Sequence, residues 1–489
     1  MSDIKIKPSA TGSATVTLTA PTTSTARTIT LPDSTGTLTT TADITTYPIT
    51  TSDTNNIGVG SGAVDSITTG DYNTGVGVNA LTATTEGGYN VAIGNEAMLA
   101  NTTGGNNVSI GDSSMEANTT GNNNVAIGRG AFTVNTTGSA NTAVGKGSLD
   151  ANTTANHNTA LGYIALGGNS TGTQNTAVGS EALENNTTAN DNVAVGYNAM
   201  KSNTTGGYNV SVGTEALYSH TSGNHNVAVG RKALYSATTA QHNTVVGQGA
   251  GQSITSNGNN TAFGYEALID VTTGQNNIGI GIQAAGSQTD RNDSIAIGRE
   301  AMNHDRATNG HRNVLIGNYT DTNATDSADQ IVMGYNVMGQ ADSTFTFGKA
   351  GSDTTCQFGS TSWFNPSDER LKKNITTSTA GLSFINDLRP VTFQWKAEGE
   401  IPEGFRGYVK DSTTPLQNSK TNHGFIAQEV KTAIDAHGEI EDGFEMWDVG
   451  SDDRQKLAPA ALIPVLVKAI QELSTKNAAL EARITTLEG

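Results

Sequence analysis

The chain has 489 residues, a length that ordinarily means two to four globular domains, yet 57 glycines and 5% aromatic residues describe a repetitive β chain instead. A formal net charge of −18 argues against sequence-independent nucleic-acid binding, which needs a basic stripe. A single cysteine, Cys356, excludes an intrachain disulfide and fits assembly in a reducing cytoplasm, and no run is apolar enough to span a bilayer.

Residues 1–50 are rich in Thr and carry strand-like runs at Ala14–Leu18 and Thr28–Leu31, followed by P-D-S-T-G-T-L. They predict a small N-terminal β module. The opening MSDIKIKPSATGS lacks the apolar core of a secretory signal, which is the expectation for a protein made in the cytoplasm. The stretch resembles short β modules at the start of phage fibre proteins. That likeness implies docking onto a phage tail or baseplate protein.

From Asn56 to Ser294 a phrase of the form N-x-A-x-G returns every 17 residues: NIGVG at Asn56, NVAIG at Asn90, NTAVG at Asn141, SIAIG at Ser294. Looser copies follow at Asn313 and Gln330. A period held this long means that each unit stacks on the next. Within the phrase, Val or Thr and then Val or Ile alternate with small residues, as in a short strand. The closing Gly permits a turn conformation denied to other residues. Further on come a small and an apolar residue (Ala97-Met98, Ala131-Phe132, Ala182-Leu183) and then N-T-T-G or a relative of it, a turn former. Two short apolar segments and two turns make one coil of a β-solenoid. At a spacing of about 4.8 Å, 17 coils give a shaft roughly 80 Å long. The Asn heading each phrase predicts a column of amides bonded along the stack. So thin a solenoid leaves an apolar face open along its length, which predicts several copies packed side by side. The N-T-T tripeptides match the glycosylation acceptor pattern, but they recur because the turn recurs. The phrases resemble the repeats of trimeric β-roll heads in bacterial adhesins and of many phage tail fibres, which implies a trimeric β-solenoid shaft over 51–335.

Past the last repeat, residues 336–366 predict a β cap or tip. Phe345, Phe347, Phe358, Trp363 and Phe364 gather there. They are candidate receptor contacts, or else a plug for the apolar core of the rod.

Charge density then changes. Residues 1–366 carry 39 charged residues, and residues 367–489 carry 33, about 27% of that stretch and a globular value. The phrases S-D-E-R-L-K-K-N-I at Ser367, L-R-P-V-T-F-Q-W-K at Leu388, H-G-F-I-A-Q-E-V at His423 and L-I-P-V-L-V-K-A-I-Q-E-L at Leu462 come in that order. They resemble the self-cleaving intramolecular chaperone domain of endosialidase-type tailspikes and many phage fibres. The resemblance implies a catalytic pair, Ser367 and Lys372, and a cut between Pro366 and Ser367. A serine hydroxyl needs a base to become a nucleophile, and a lysine serves once burial lowers its pKa. Asp368, Arg370 and Asn374 are expected to order the loop, and His423 to take a core or interface role. Ile463, Ile470, Asn477 and Ile484 fall seven apart, as do Leu466, Leu473, Leu480 and Leu487. They predict a coiled coil over 462–488 with one polar position to fix its register. Ile at a with Leu at d leans towards a dimer, whereas the family resemblance implies a trimer.

The reading is mainly β: a trimeric β-solenoid (β-roll) shaft of 17-residue coils, then a small α+β chaperone domain ending in a coiled-coil helix. As a function it predicts a homotrimeric phage tail fibre in the virion, contacting a host-cell receptor, either a glycan or an outer-surface protein. No cofactor, metal, nucleic acid or membrane insertion is expected. The alternatives are a tailspike enzyme that degrades surface polysaccharide and a non-viral trimeric adhesin. Glu96, Glu181, Glu215, Glu266 and Glu300 share one slot of the unit, and a column of repeated carboxylates predicts solubility and not a glycosidase site.

Overall fold

The computed structural model describes residues 15–18, 27–30, 49–51 and 55–489, apart from 288, 304–309, 325, 361–362, 365–366, 368, 406, 441–445 and 450–453. Contacts divide the chain into two units, Met1–Pro366 and Ser367–Gly489.

In the first unit, β1 (Thr15–Leu18) pairs antiparallel with β2 (Arg27–Thr30). β3 (Ile49–Thr51) pairs antiparallel with β4 (Ile57–Val59), which opens a run of fifteen three-residue strands ending at β18 (Ile295–Ile297). β19 (Val314–Ile316) and β20 (Ile331–Tyr335) continue it. From β4 to β20 each strand pairs in parallel with the next at the same phrase position, as in Val91↔Val108 and Ala92↔Ser109. The ladder is an open rod that advances one coil per unit. The two extra residues between the phrases at Ser294 and Asn313 leave the register intact, with Ile295 opposite Val314.

Strand burial explains the sequence pattern. The middle residue faces in and the two flanking residues face out, so Ala92 is buried while Ile93 is 39% exposed. In most coils the core holds one small residue from the strand and, from the second apolar segment, a small residue followed by a Leu, Met or Phe, as in Ala92, Ala97 and Met98. Volumes compensate across it: where Val245 replaces the small residue, Gly251 replaces the Leu, and a Cβ on Gly251 would lie 3.4 Å from Val245.

The second apolar segment is not a strand, and here the structure departs from its apolar pattern. Glu96 and Met98 take left-handed φ values of 56° and 52°, and the same slots do so in most coils. Their N–H groups reach neighbouring coils: Glu96 N donates back to Val78 O at 2.9 Å and Met98 N forward to Ser114 O at 3.0 Å. Bonding between coils, absent from a lone coil, repays a backbone conformation costly for L-residues.

The predicted amide column is present. The Asn107 backbone N–H and Nδ2 donate to Asn90 Oδ1 at 3.0 and 3.1 Å, and Nδ2 also donates to Gly121 O at 2.8 Å. A second buried column, built on the Asn of N-T-T-G, runs beside it: Asn118 Nδ2 donates to Asn101 Oδ1 at 2.8 Å and Asn135 Nδ2 to Asn118 Oδ1 at 2.7 Å. It ends at His220, after which Ala237, Ile254 and Val271 fill the slot.

β21 (Thr344–Lys349) adds to β20 in parallel, and β22 (Thr354–Gln357) and β23 (Trp363–Phe364) follow antiparallel.

The second unit holds α1 (Leu382–Asp387), α2 (Ala427–Asp435) and α3 (Leu462–Glu488) with two antiparallel strand pairs, β24 (Val391–Phe393) with β25 (Asn422–Gly424) and β26 (Trp447–Val449) with β27 (Gln455–Leu457). Phe384, Val430, Ile434, Met446, Leu462 and Val465 form its core. Glu472 on α3 ties the start of α1, its Oε2 accepting from the Leu382 N–H at 2.9 Å.

Candidate functional site

Ser367 and Lys372 flank a single 3-10 turn, Glu369–Leu371. The Lys372 N–H donates to Glu369 O at 3.0 Å, closing that turn and bringing the two side chains together. Lys372 Nζ donates to Ser367 Oγ at 2.7 Å. The same contact carries a proton from Oγ–H to Nζ when the amine is neutral. Both side chains are exposed, so among the described residues this chain does not itself supply the dehydration that a lysine base requires. Pro366 and Asp368 lie outside the described residues. Arg370 is exposed, and Asn374 turns the chain with φ 55°. His423, expected in a core or interface, is exposed on β25 opposite Thr392.

Phe345, Phe347 and Trp363 do not plug the core. On β21 the inward residues are Thr344 and Thr346, 3% and 0% exposed, while Phe345 and Phe347 face out. Phe345, Phe347 and Trp363 pack together with ring centroids 5.4–5.9 Å apart. Phe358 stands on the surface and makes no ring pair among the described residues. Because Phe345 lies opposite Ile331 and Phe347 opposite Met333, the cluster continues the outward apolar stripe of the coils.

The coiled-coil positions are open. Leu462, Val465 and Ala469 bury one face of α3, while Ile463, Ile470, Leu473, Leu480, Ile484 and Leu487 remain exposed on another. The column of glutamates is half-buried, and two members meet lysines: Lys201 lies 2.5 Å from Glu181 and 3.1 Å from Glu184, and Lys232 3.7 Å from Glu215. Ion pairing, chiefly with Glu181, holds the Lys201 amine above its ordinary value. Among the described residues no cluster of three His, Cys, Asp or Glu side chains has the arrangement to hold a metal, and no helix is long and apolar enough to cross a membrane. Sequence reading missed Gln340, Asp353 and Gln357, which line a cavity beside Phe364. They lie past the 17-residue period, where no spacing marks them.

The Ser–Lys contact stands at the head of the segment that a family comparison recognises. Residues 367–439 match the chaperone of endosialidase family. The match begins at Ser367, where the second unit begins. No curated protein and no solved structure matches the chain.

Proposed function

We propose that the chain is a homotrimeric bacteriophage tail fibre that attaches the virion to its host, and that its C-terminal chaperone cuts itself away before Ser367 once the trimer has folded. The observation that carries this reading is the 2.7 Å Ser367–Lys372 contact at the first residue of the family match. In the cut, Ser367 Oγ attacks the carbonyl carbon of residue 366 while Lys372 Nζ takes the hydroxyl proton. The C–N bond breaks, the proton passes to the Ser367 nitrogen, and water hydrolyses the resulting ester. Both groups are exposed in the single chain, so neighbouring chains supply the dry surroundings and cleavage waits for assembly. The outward stripe of the coils, the Phe345–Phe347–Trp363 cluster and the open face of α3 are the surfaces by which three copies meet.

Denaturing-gel mass and sedimentation test this. The wild-type trimer should lose its C-terminal fragment. Ser367→Ala, Lys372→Ala and Lys372→Arg should each stay at 50.4 kDa per chain and still sediment as trimers, Lys372→Arg because a guanidinium keeps its proton at neutral pH. A wild-type chain that stays whole after trimerisation, or variants cut at the same bond, would show the mechanism to be wrong.

A further inference from the structure

At the end of the rod the core changes character. Thr344 lies opposite Gln357, Thr346 opposite Thr355, and Thr355 opposite Phe364, so these side chains share the face that continues the Ala and Leu core of the coils. Threonines take the inward places that Ala and Leu hold in the coils, and beside them Gln340, Ala341, Thr344, Asp353, Thr355, Gln357 and Phe364 wall a cavity of about 390 Å³, its surface mostly apolar with hydroxyl, amide and carboxylate groups set into it. That size lies in the range of small-molecule sites.

Its polar groups are held in place by one another. Gln340 Nε2 donates to Asp353 Oδ2 at 3.0 Å and to Met338 O at 3.2 Å, which fixes the carboxylate. The Thr346 and Thr355 hydroxyls share a bond at 3.0 Å, and Thr344 Oγ1 donates to Ala341 O at 2.6 Å, leaving its lone pairs to accept. Phe364 offers an exposed ring at the rim, with 62% of its surface in solvent. A fixed carboxylate, side-chain amides and hydroxyls beside one aromatic face are complementary to a ring with vicinal hydroxyls on its edge and C–H groups on its face. The one charge among the lining side chains, on Asp353, repels an anionic ligand.

We propose that this cavity binds one neutral or amino sugar residue, with its C–H face on Phe364 and its hydroxyls on Asp353 and Gln357. The aromatic cluster of Phe345, Phe347 and Trp363 lies on the opposite face of the same strands and takes no part. The proposal deepens the attachment reading and rests on it only for its use to a virion.

The test titrates the purified full chain with the methyl glycosides of glucose, galactose, N-acetylglucosamine and glucosamine, and with methyl glucuronide, followed by ligand-observed NMR and calorimetry. At least one neutral or amino sugar should bind, with the glucuronide at least tenfold weaker. Phe364→Ala and Gln357→Ala should each cost tenfold or more with an unchanged melting profile. Asp353→Asn should narrow the gap between neutral and anionic sugars, and the exposed shaft variant Arg129→Ala should bind as wild type. Absence of binding by every sugar, equal binding of the glucuronide, or an equal loss in Arg129→Ala would overturn the assignment. Sugar binding by a chain that fails to compete with virions for host cells supports this site and sinks the attachment reading alone.

Discussion

At the residue scale, two glycines two positions apart do different work. Gly128 closes a phrase at φ 139°, and a Cβ there would lie 2.6 Å from Gly145 O of the next coil. Gly130 has φ 62°, and its Cβ would meet nothing closer than Thr133 Oγ1 at 3.5 Å. The Gly130 slot is held in other coils by Asn79, Glu96 and Asn198 at φ 56–57°. Gly128→Ala should therefore cost about 2–5 kcal/mol, combining backbone strain with overpacking. Gly130→Asn should be neutral or slightly stabilising, because it removes freedom from the unfolded chain. Unfolding rates in denaturant check this, since the proposed trimer, once relieved of its chaperone, would be kinetically trapped. Equal rates for the two variants would refute the close-approach argument. The closing Gly was legible as a turn residue from its recurrence. The distance to the next coil was not, because stacking alone creates it.

At the element scale, the end of α1 is tied to the segment after α2 through a histidine. His437 Nε2 lies 2.8 Å from Asp387, the last residue of α1, and Nδ1 lies 3.0 Å from Glu439. Hydrogen bonds to Asp387 first and Glu439 second raise the imidazole above its ordinary 6.5. Its own backbone N–H and then His437 hold Glu439 below its ordinary 4.5. A raised folded-state pKa contributes stability that is full below about 6.5 and lost as pH rises through the folded value. A depressed carboxylate contributes above about 4.5 and loses that contribution as pH falls. The unit should be most stable between these limits. In the uncut Ser367→Ala chain, helix melting should weaken from pH 6.5 to pH 9, and His437→Gln should flatten that limb. Identical profiles would remove His437 from the account. On α3 the heptad seam was legible as an open face. The other face, Leu462, Val465 and Ala469, was not separable from it, because both are apolar and only packing decides which is covered.

For the molecule as a whole, the register of a stacked repeat is set by neighbours. Deleting Asn141–His157, one coil, brings Asn124 under Asn158 and keeps both amide columns aligned. The shortened chain should fold, trimerise and melt within a few degrees of wild type. Deleting eight residues from the same coil shifts every later strand off its column and faces β-branched side chains into a core sized for Ala, so no trimer should form. Sedimentation and melting of the two deletions check this; a folded trimer from the shorter deletion contradicts the register argument.

The 17-residue period, the first amide column and the abrupt rise in charge near Ser367 follow from sequence alone, because a local pattern repeated on stacked coils has one economical solution. The pairing of Ser367 with Lys372 was implied by the family resemblance and not by the spacing of five, which any polar sequence offers; one 3-10 turn brings the side chains together. Other features came only with the tertiary structure. The left-handed second segment depends on bonds to neighbouring coils. The second Asn column is buried by stacking, although its Asn-Thr-Thr phrase reads locally as a surface turn. The outward turn of Phe345, Phe347 and Trp363 follows from strand register, and the cavity joins residues of β21, β22, β23 and the loops beside them that share no period. In the first two cases the deciding contacts lie between stacked coils, which a single coil does not reveal, and at the tip they lie between strands outside the period.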